Sequence, residues 1–124
     1  MSKDNLKWRM PTIEELLEMY KNLHLKERGG FTYDFYLSSS VNLSDDAWGQ
    51  YFIIGDQFDN DKEYYIRVRV VRSFESKEGY KIGQETETGF VFDIQGSTVF
   101  ECKKYDESGL MDWDELMKKF GGKK

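Results

Sequence analysis

Two amphipathic helical patterns enclose a long stretch that carries strand patterns only, and this order decides the fold class. The helices are predicted over residues 13–26 and 113–120. The residues between them form several runs rich in aromatic and β-branched side chains, which favour strands. No alternation of strand, helix and strand is present, so antiparallel pairing is expected to dominate. We therefore predict a single α+β domain over residues 1–124, with a mainly antiparallel sheet and two helices.

Both helices have start and stop signals. Thr12 and Glu15 form a capping box pattern before the first apolar face, and Gly29-Gly30 follows its last basic residues. Asp112 and Glu115 repeat the box pattern before the second helix, which ends before Gly121-Gly122. The two helices are therefore predicted to be local structures with defined ends.

Five runs have the composition of strands: Phe31–Ser38, Trp48–Ile54, Tyr64–Phe74, Phe90–Ile94 and Thr98–Lys103. The last two are joined at Gln95-Gly96-Ser97, where glycine can adopt the positive φ that a tight hairpin turn needs. In the longest run Val68 and Val70 point one way and Arg69 the other. The pair Val70-Val71 interrupts that alternation, so a bulge or a change of burial is predicted there.

Composition and charge narrow the classes of function. The chain is 39% hydrophobic and 33% charged, which is typical of globular domains. The net charge of -5 repels a phosphate backbone, so nucleic-acid binding is not expected. The single Cys102 suits a reducing compartment and is expected to be a buried thiol. Neither a signal peptide nor a membrane-spanning run is visible, so a soluble, cytoplasmic protein without membrane contact is predicted.

Few residues offer catalytic or metal-binding chemistry. His24 and Cys102 are the only imidazole and thiol, too few for a structural zinc site, and His24 is expected on an exposed helix surface. Asp56, Asp59 and Asp61 share one segment that could hold calcium, although it lacks EF-hand spacing; a solvated polar loop is the alternative. We therefore predict no catalytic residues, no metal site, no cofactor and no enzymatic activity.

Four segments carry a resemblance to a known family. They are Trp8 to Leu16, Tyr36 to Ser40, Ala47 to Gly55 and Val68 to Arg72. In that order they resemble W-R-L-P-T-x-x-E-L, Y-W-S-S-T, A-W-x-x-x-F-x-x-G and V-R-C-V-R of the bacterial and phage domain family named after the C-terminal domain of a Legionella collagen-like protein. Leu37 and Val70 depart from the family pattern, which has Trp and Cys there. The motif block spans residues 8–72.

A second part of the resemblance lies in residues of about 80–120, in permuted order. Glu87–Phe92 and Met111–Met117 are similar to the T-G-L-x-W and M-T-W-x-E-A-M segments that precede the block in longer members. Such permutation is tolerated where chain termini lie close together. The resemblance implies a C-type-lectin-like fold.

The motif residues are expected to build the scaffold. The three tryptophans are interpreted as core or cap packing, and the arginines as donors that hold loops onto the sheet. The structural residues so identified are Trp8, Arg9, Pro11, Thr12, Glu15, Trp48, Arg69, Arg72 and Trp113.

The function expected from these features is non-enzymatic recognition of a protein partner through loops and exposed aromatic side chains. The candidate binding residues are Tyr33, Tyr36, Trp48, Tyr51, Asp56, Asp59, Asp61 and Tyr64. Short permuted members of the family are often encoded by phages, which implies a protein that inhibits or redirects a host factor, such as a defence system, in the host cytoplasm. Two alternatives stay open: a receptor for a small molecule or glycan, and a structural or virion-associated protein.

Overall fold

The computed structural model describes residues 8–31, 35–41, 47–52, 57–60, 67–107 and 113–121. Within these residues, two α-helices and six strands follow one another in the order α1, β1 to β6, α2. Their bounds are α1 Ile13–Asn22, β1 Phe35–Val41, β2 Ala47–Tyr51, β3 Gln57–Asn60, β4 Val71–Glu75, β5 Gly89–Gln95, β6 Thr98–Lys103 and α2 Trp113–Phe120.

The strands form two antiparallel three-stranded sheets. The first sheet has the order β1-β2-β3 and the second the order β4-β6-β5. A backbone hydrogen bond from Leu37 N–H to the Arg67 carbonyl, 3.0 Å long, joins β1 to the segment that leads into β4. The predicted α+β class with mainly antiparallel pairing is confirmed.

Helix α1 begins as predicted and ends earlier than predicted. The Thr12 hydroxyl accepts from Glu15 N–H at 3.1 Å, and the Glu15 carboxylate accepts from Thr12 N–H at 2.8 Å. After Asn22 the chain tightens into a 3₁₀ helix over His24–Lys26. A 3₁₀ turn at a helix end supplies N–H donors to the last carbonyls of the helix, which have no partner within the helix itself. The predicted end at residue 26 therefore includes this short 3₁₀ turn.

Helix α2 has the predicted bounds, residues 113–120. Gly121 follows with φ 73°, and its N–H donates to the Met117 carbonyl at 2.8 Å. Glycine adopts this left-handed conformation without strain because it has no Cβ to clash with the backbone. The predicted N-cap, Asp112, lies outside the described residues.

The hairpin of β5 and β6 agrees with its prediction. Gln95 and Thr98 are paired, and Gly96 has φ 62° in the two-residue turn between them. The positive φ is the conformation that the Gly-containing turn was expected to need.

Three strand predictions are corrected. β4 covers only Val71–Glu75 rather than residues 64–74. Val68, Arg69, Val70, Val71 and Arg72 are all buried, so the expected alternation fails over this segment, and the change of burial predicted at Val70-Val71 does not occur. β3, Gln57–Asn60, pairs with β2 where a polar loop was expected. Backbone pairing by a central strand can override a polar composition.

In the part of the chain that the structure describes, the buried apolar side chains form three clusters, which lie on the second sheet, between it and the first sheet, and around α2. Leu16 and Met19 of α1, with Leu23 directly after it, belong to one cluster with Val71, Phe92 and Cys102 of the second sheet. Phe74, Val91 and Val99 form a second buried cluster. A third surrounds Trp113 and Leu116 of α2.

The N-terminal segment meets the end of α2. Met10 N–H donates to the Gly121 carbonyl at 2.8 Å, and Arg9 forms an isolated antiparallel bridge with Val71. No helix in the part of the chain that the structure describes has both the length and the apolar character needed to cross a membrane.

Candidate functional site

Cys102, one of the two side chains with intrinsic nucleophilic or basic chemistry considered above, is fully buried. Burial, which disfavours the thiolate, raises the pKa of Cys102 to about 12, although the Arg69 charge opposes the shift. The predicted buried thiol is confirmed. A thiol that keeps its proton at neutral pH is a poor nucleophile.

His24 lies in an aromatic cluster rather than on an exposed helix surface. Its ring centroid is 5.1 Å from that of Phe52, 5.7 Å from that of Tyr20 and 6.3 Å from that of Phe31. The side chain is half-buried. The expectation of an exposed position was wrong because the 3₁₀ turn directs the ring toward the first sheet.

Arg69 joins three segments of the chain from a fully buried position. Its guanidinium donates to the carbonyls of Gly29, Gly30 and Lys103 and to the Asp106 carboxylate, the last at 2.9 Å. The same carboxylate accepts from the Tyr36 hydroxyl at 2.9 Å. The planar fork of arginine suits such a set of divergent acceptors.

Arg72 forms a second buried ion pair. Its Nε donates to Glu101 at 2.8 Å, and both side chains are almost completely inaccessible. The hydroxyls of Thr86 and Thr88 also donate to the Glu101 carboxylate. The Trp8 ring lies over the guanidinium, with 4.4 Å from Cζ to the ring centroid. The remaining lone pairs and the positive charge are thus satisfied within the fold.

The other motif residues also have scaffold roles. Arg9 makes a bidentate pair with Glu15, with two contacts of 2.7 Å. The Trp113 indole N–H donates to the Ser38 carbonyl at 2.9 Å, and the Pro11 carbonyl accepts from Ser39 N–H at 2.8 Å. Trp8 packs against the cluster around α2. Arg69 and Arg72 reach loop residues, at Gly29, Gly30 and Thr88, whereas the Arg9 side chain pairs with Glu15 of α1.

The eight candidate binding residues are not gathered on one described surface. Tyr36 is fully buried in the core, which takes it out of contact with any partner. Trp48 is half-buried in β2. Tyr51 and Asp59 lie in β2 and β3, where only their backbone is described. The other four lie outside the described residues: Tyr33, Asp56, Asp61 and Tyr64.

Among the described residues, three large apolar side chains are exposed on neighbouring segments, and we call Leu25, Ile82 and Tyr105 the exposed apolar surface. Their exposed fractions are 60%, 45% and 78%. The Arg28 guanidinium donates to the Gly83 carbonyl at 2.6 Å, and Lys104 pairs with Glu85 at 3.1 Å. Because these contacts connect residues 24–30, 81–85 and 103–105, the three side chains stand on adjoining parts of the molecule.

A polar groove of about 570 Å³ lies where α1 passes over the second sheet, and we call it the acidic groove. Its walls include Glu14, Glu15 and Glu18 of α1 and, on the sheet, Ser73, Asp93 and Phe100. Arg9 also lines it, so among the described lining residues four carboxylates face one guanidinium. The volume is in the range of ligand sites, and the charge favours a cationic group.

Sequence reasoning found neither surface. Each exposed apolar residue is a single apolar side chain within a charged or glycine-containing stretch, so no periodic pattern marks it. The acidic groove depends on α1 lying beside β5, which Asn22 secures by donating to the Phe92 carbonyl at 2.9 Å.

Comparison of the chain with protein-family profiles, with curated proteins and with solved structures finds no match. Within the described residues, no group of three or more His, Cys, Asp or Glu side chains is placed to hold a metal ion.

Proposed function

We propose that this chain is a non-enzymatic recognition domain that binds a protein partner through the exposed apolar surface. The observation that carries the proposal is the exposure of Leu25, Ile82 and Tyr105 on three segments that contact one another. A single exposed apolar residue is ordinary on a protein surface. Three on adjoining segments, with an aromatic ring among them, have the character of an interface.

The surroundings of this surface resemble the rim of a protein interface. Arg28 lies next to Ile82 through its bond to Gly83, and it also faces the Phe90 ring, with 5.9 Å from Cζ to the centroid. Lys104, which precedes Tyr105 and is half-buried, forms an ion pair with the exposed Glu85. An apolar centre within a charged rim is the usual arrangement in specific complexes. Fully covering each large apolar side chain contributes on the order of 1.5–3 kcal/mol.

The segments that present the surface are held in place before any partner binds. The fully buried Arg69 donates to the carbonyls of Gly29, Gly30 and Lys103. These contacts hold two of the three segments, residues 24–30 and 103–105. Gly83 N–H donates to the Val91 carbonyl of β5 at 2.8 Å. A preorganised surface loses little conformational entropy on binding.

The placement of the reactive side chains supports a role without catalysis. Cys102 is buried with a raised pKa, and His24 packs among aromatic rings. The Arg72–Glu101 pair is inside the fold, with threonine hydroxyls completing its hydrogen bonds. A nucleophile with an adjacent base and an orienting third group is the arrangement that such catalysis needs, and these side chains are instead engaged in packing and internal hydrogen bonds.

We further propose a C-type-lectin-like scaffold in permuted order, of the family named after the Legionella collagen-like protein domain. Two observations support it. The motif residues Arg9, Arg69 and Arg72 hold the framework together, and the Met10–Gly121 hydrogen bond brings the motif block next to the end of α2. On this proposal the chain is a phage or prophage protein that inhibits or redirects a host factor in the host cytoplasm.

Affinity purification with matched variants tests the proposed function. The tagged chain and its L25S/Y105S variant are expressed in the cells that produce the chain, and captured proteins are quantified by mass spectrometry. The proposal expects a partner that the parent captures and the variant loses by at least about tenfold, a loss of roughly 1.4 kcal/mol in binding. The K77S/E78S variant, altered at exposed polar positions on another loop, is the control and keeps the partner.

Two results would contradict the proposal. One is a partner retained equally by the parent and by L25S/Y105S, which would place recognition elsewhere. The other is specific binding to a glycan or small molecule, in an array or thermal-shift screen, that the same substitutions leave unchanged. That second result would favour the receptor alternative.

A further inference from the structure

Arg28 is an exposed arginine that is held at both its backbone and its guanidinium. Its backbone N–H donates to the Leu23 carbonyl at 2.9 Å, and its Nε donates to the Gly83 carbonyl at 2.6 Å. The Gly83 N–H in turn donates to the Val91 carbonyl of β5 at 2.8 Å, which fixes the acceptor to the second sheet. The guanidinium is therefore oriented before any partner binds.

Close packing against Gly83 leaves the far end of the guanidinium exposed. A Cβ built on Gly83 would lie 3.7 Å from both Cδ and Nε of Arg28, and the Phe90 ring centroid is 5.9 Å from Cζ. Nε uses its N–H on the Gly83 carbonyl, and Nη1 and Nη2 carry the other N–H donors of the group. Within the described ranges of the chain, no carboxylate or carbonyl accepts from these two nitrogens.

Two members of the exposed apolar surface adjoin this guanidinium. Leu25 lies in the 3₁₀ turn after α1, three residues before Arg28, and Ile82 directly precedes Gly83. Their exposed fractions are 60% and 45%. A group that binds Nη1 and Nη2 is therefore placed next to apolar side chains from two segments.

The chemistry of the guanidinium determines the group that it binds. Arginine offers N–H donors and a permanent positive charge but no acceptor, and its planar fork matches a carboxylate in bidentate geometry. Such charge-assisted bonds are about twice as strong as neutral ones. Apolar side chains that surround the contact exclude water, which is the arrangement of the residues that dominate binding energy in interfaces.

We propose that Arg28 binds an aspartate or glutamate side chain of the partner protein, whose neighbouring apolar side chains cover Leu25 and Ile82. This contact rests on the proposed function, because it names the group of the partner that the exposed apolar surface recognises. An acidic residue inside a chain has neighbours on both sides, whereas a C-terminal carboxylate has them on one side only. Apolar side chains on two different segments of this molecule match the internal residue.

Selection from a displayed peptide library tests the contact without knowledge of the natural partner. The probe is a library of random dodecapeptides, selected in parallel on the parent chain, on R28Q and on L25S/Y105S. We expect the parent to enrich peptides in which an acidic residue is flanked by apolar residues. R28Q is expected to enrich the apolar residues without the acidic one, and L25S/Y105S is expected to lose the apolar enrichment.

Binding of one selected peptide, measured by fluorescence anisotropy at low salt, isolates the contact. Its twin with asparagine or glutamine in place of the acidic residue is expected to bind the parent at least about tenfold more weakly, a loss of roughly 1.4 kcal/mol. R28Q should weaken the acidic peptide equally and leave the twin unchanged, because both changes remove one interaction. R28K keeps the charge without the planar fork and should lose part of the affinity. Since the twin is measured on the parent chain, the test stands even where R28Q fails to fold.

K77Q is the matched control, because it removes an exposed positive charge from another loop. Equal weakening by K77Q and R28Q would mean general attraction between charges and would overturn the inference, as would acidic peptides that R28Q binds as tightly as the parent. Apolar peptides without an acidic residue, which L25S/Y105S no longer binds, would overturn it while leaving the proposed function intact. Peptides that L25S/Y105S retains, or no enrichment on the parent, would contradict both.

Discussion

Arg69 and Arg72 place positive charge inside the molecule, and each is matched by a carboxylate and by hydrogen-bond acceptors. Arg69 connects the turn at Gly29-Gly30 to β6 and Asp106. Arg72 pairs with Glu101 across β4 and β6. An unpaired buried charge is strongly destabilising, whereas a paired and fully hydrogen-bonded one is tolerated. Single residues of this kind determine which loops stay attached to the second sheet.

Removing one partner of the buried pair is expected to destabilise the fold. E101Q leaves Arg72 charged and buried, and we expect a loss of about 3 kcal/mol or more in the free energy of unfolding, measured in urea. R72M/E101L, which removes both charges, is expected to lose less than E101Q. Equal or greater loss in the double variant would show that the pair contributes through packing rather than through its charges.

The buried Cys102 thiol is expected to be inert in the folded protein. Its pKa is raised to about 12, whereas an unfolded thiol has a pKa near 8.5. The Cys102 thiol therefore holds its proton more tightly in the folded state. The stabilisation that this protonated thiol gives to the folded state is complete below the unfolded pKa and is lost as pH rises toward about 12. At pH 8 a thiol reagent should react only after urea unfolding. Fast labelling of the native protein would contradict the buried position.

Elements with local signals could be predicted from the sequence, and elements defined by distant contacts could not. The capping box at Thr12, the glycine after α2 and the β5–β6 turn depend on residues close together in the chain. β3 has a polar sequence and exists through pairing with β2. The segment before β4 fails to alternate because Arg69, a charged residue, is recruited into the interior by four acceptors. No pattern of hydropathy encodes those contacts.

At the scale of elements, the pairing of β5 with β6 requires glycine at one position. A Cβ on Gly89 would lie 1.8 Å from the Cys102 carbonyl oxygen, a backbone atom that cannot move without breaking the sheet. We expect G89A to unfold the domain or to reduce its thermal midpoint by more than 10 °C, on the order of 2 kcal/mol for a chain of this size.

Gly79 provides the matched control for that substitution. A Cβ there would meet nothing within 4 Å, although φ is 75°. G79A is expected to cost only about 1 kcal/mol, the usual penalty for a left-handed alanine. Both variants are compared by circular dichroism melting. Similar midpoints for the two would show that close packing at Gly89 does not constrain the sheet.

At the scale of the whole molecule, the exposed apolar surface gives the chain its proposed capacity for recognition. The exposed apolar surface combines residues 25, 82 and 105, which are far apart in the chain and meet through Arg28, Arg69 and Lys104. The acidic groove forms between α1 and β4 to β6. The sequence indicated a binding domain but assigned binding to aromatic residues such as Tyr36, which is buried. A surface built from three distant segments has no sequence period by which it could be found.

Amide hydrogen exchange of the chain alone and with its captured partner tests the central claim most directly. If the partner covers the exposed apolar surface, exchange should slow on binding in residues 24–30, 81–85 and 103–105, with smaller changes elsewhere. Amides of those segments that exchange at the same rate in the complex and in the free chain, while protection appears on another face, would contradict the account.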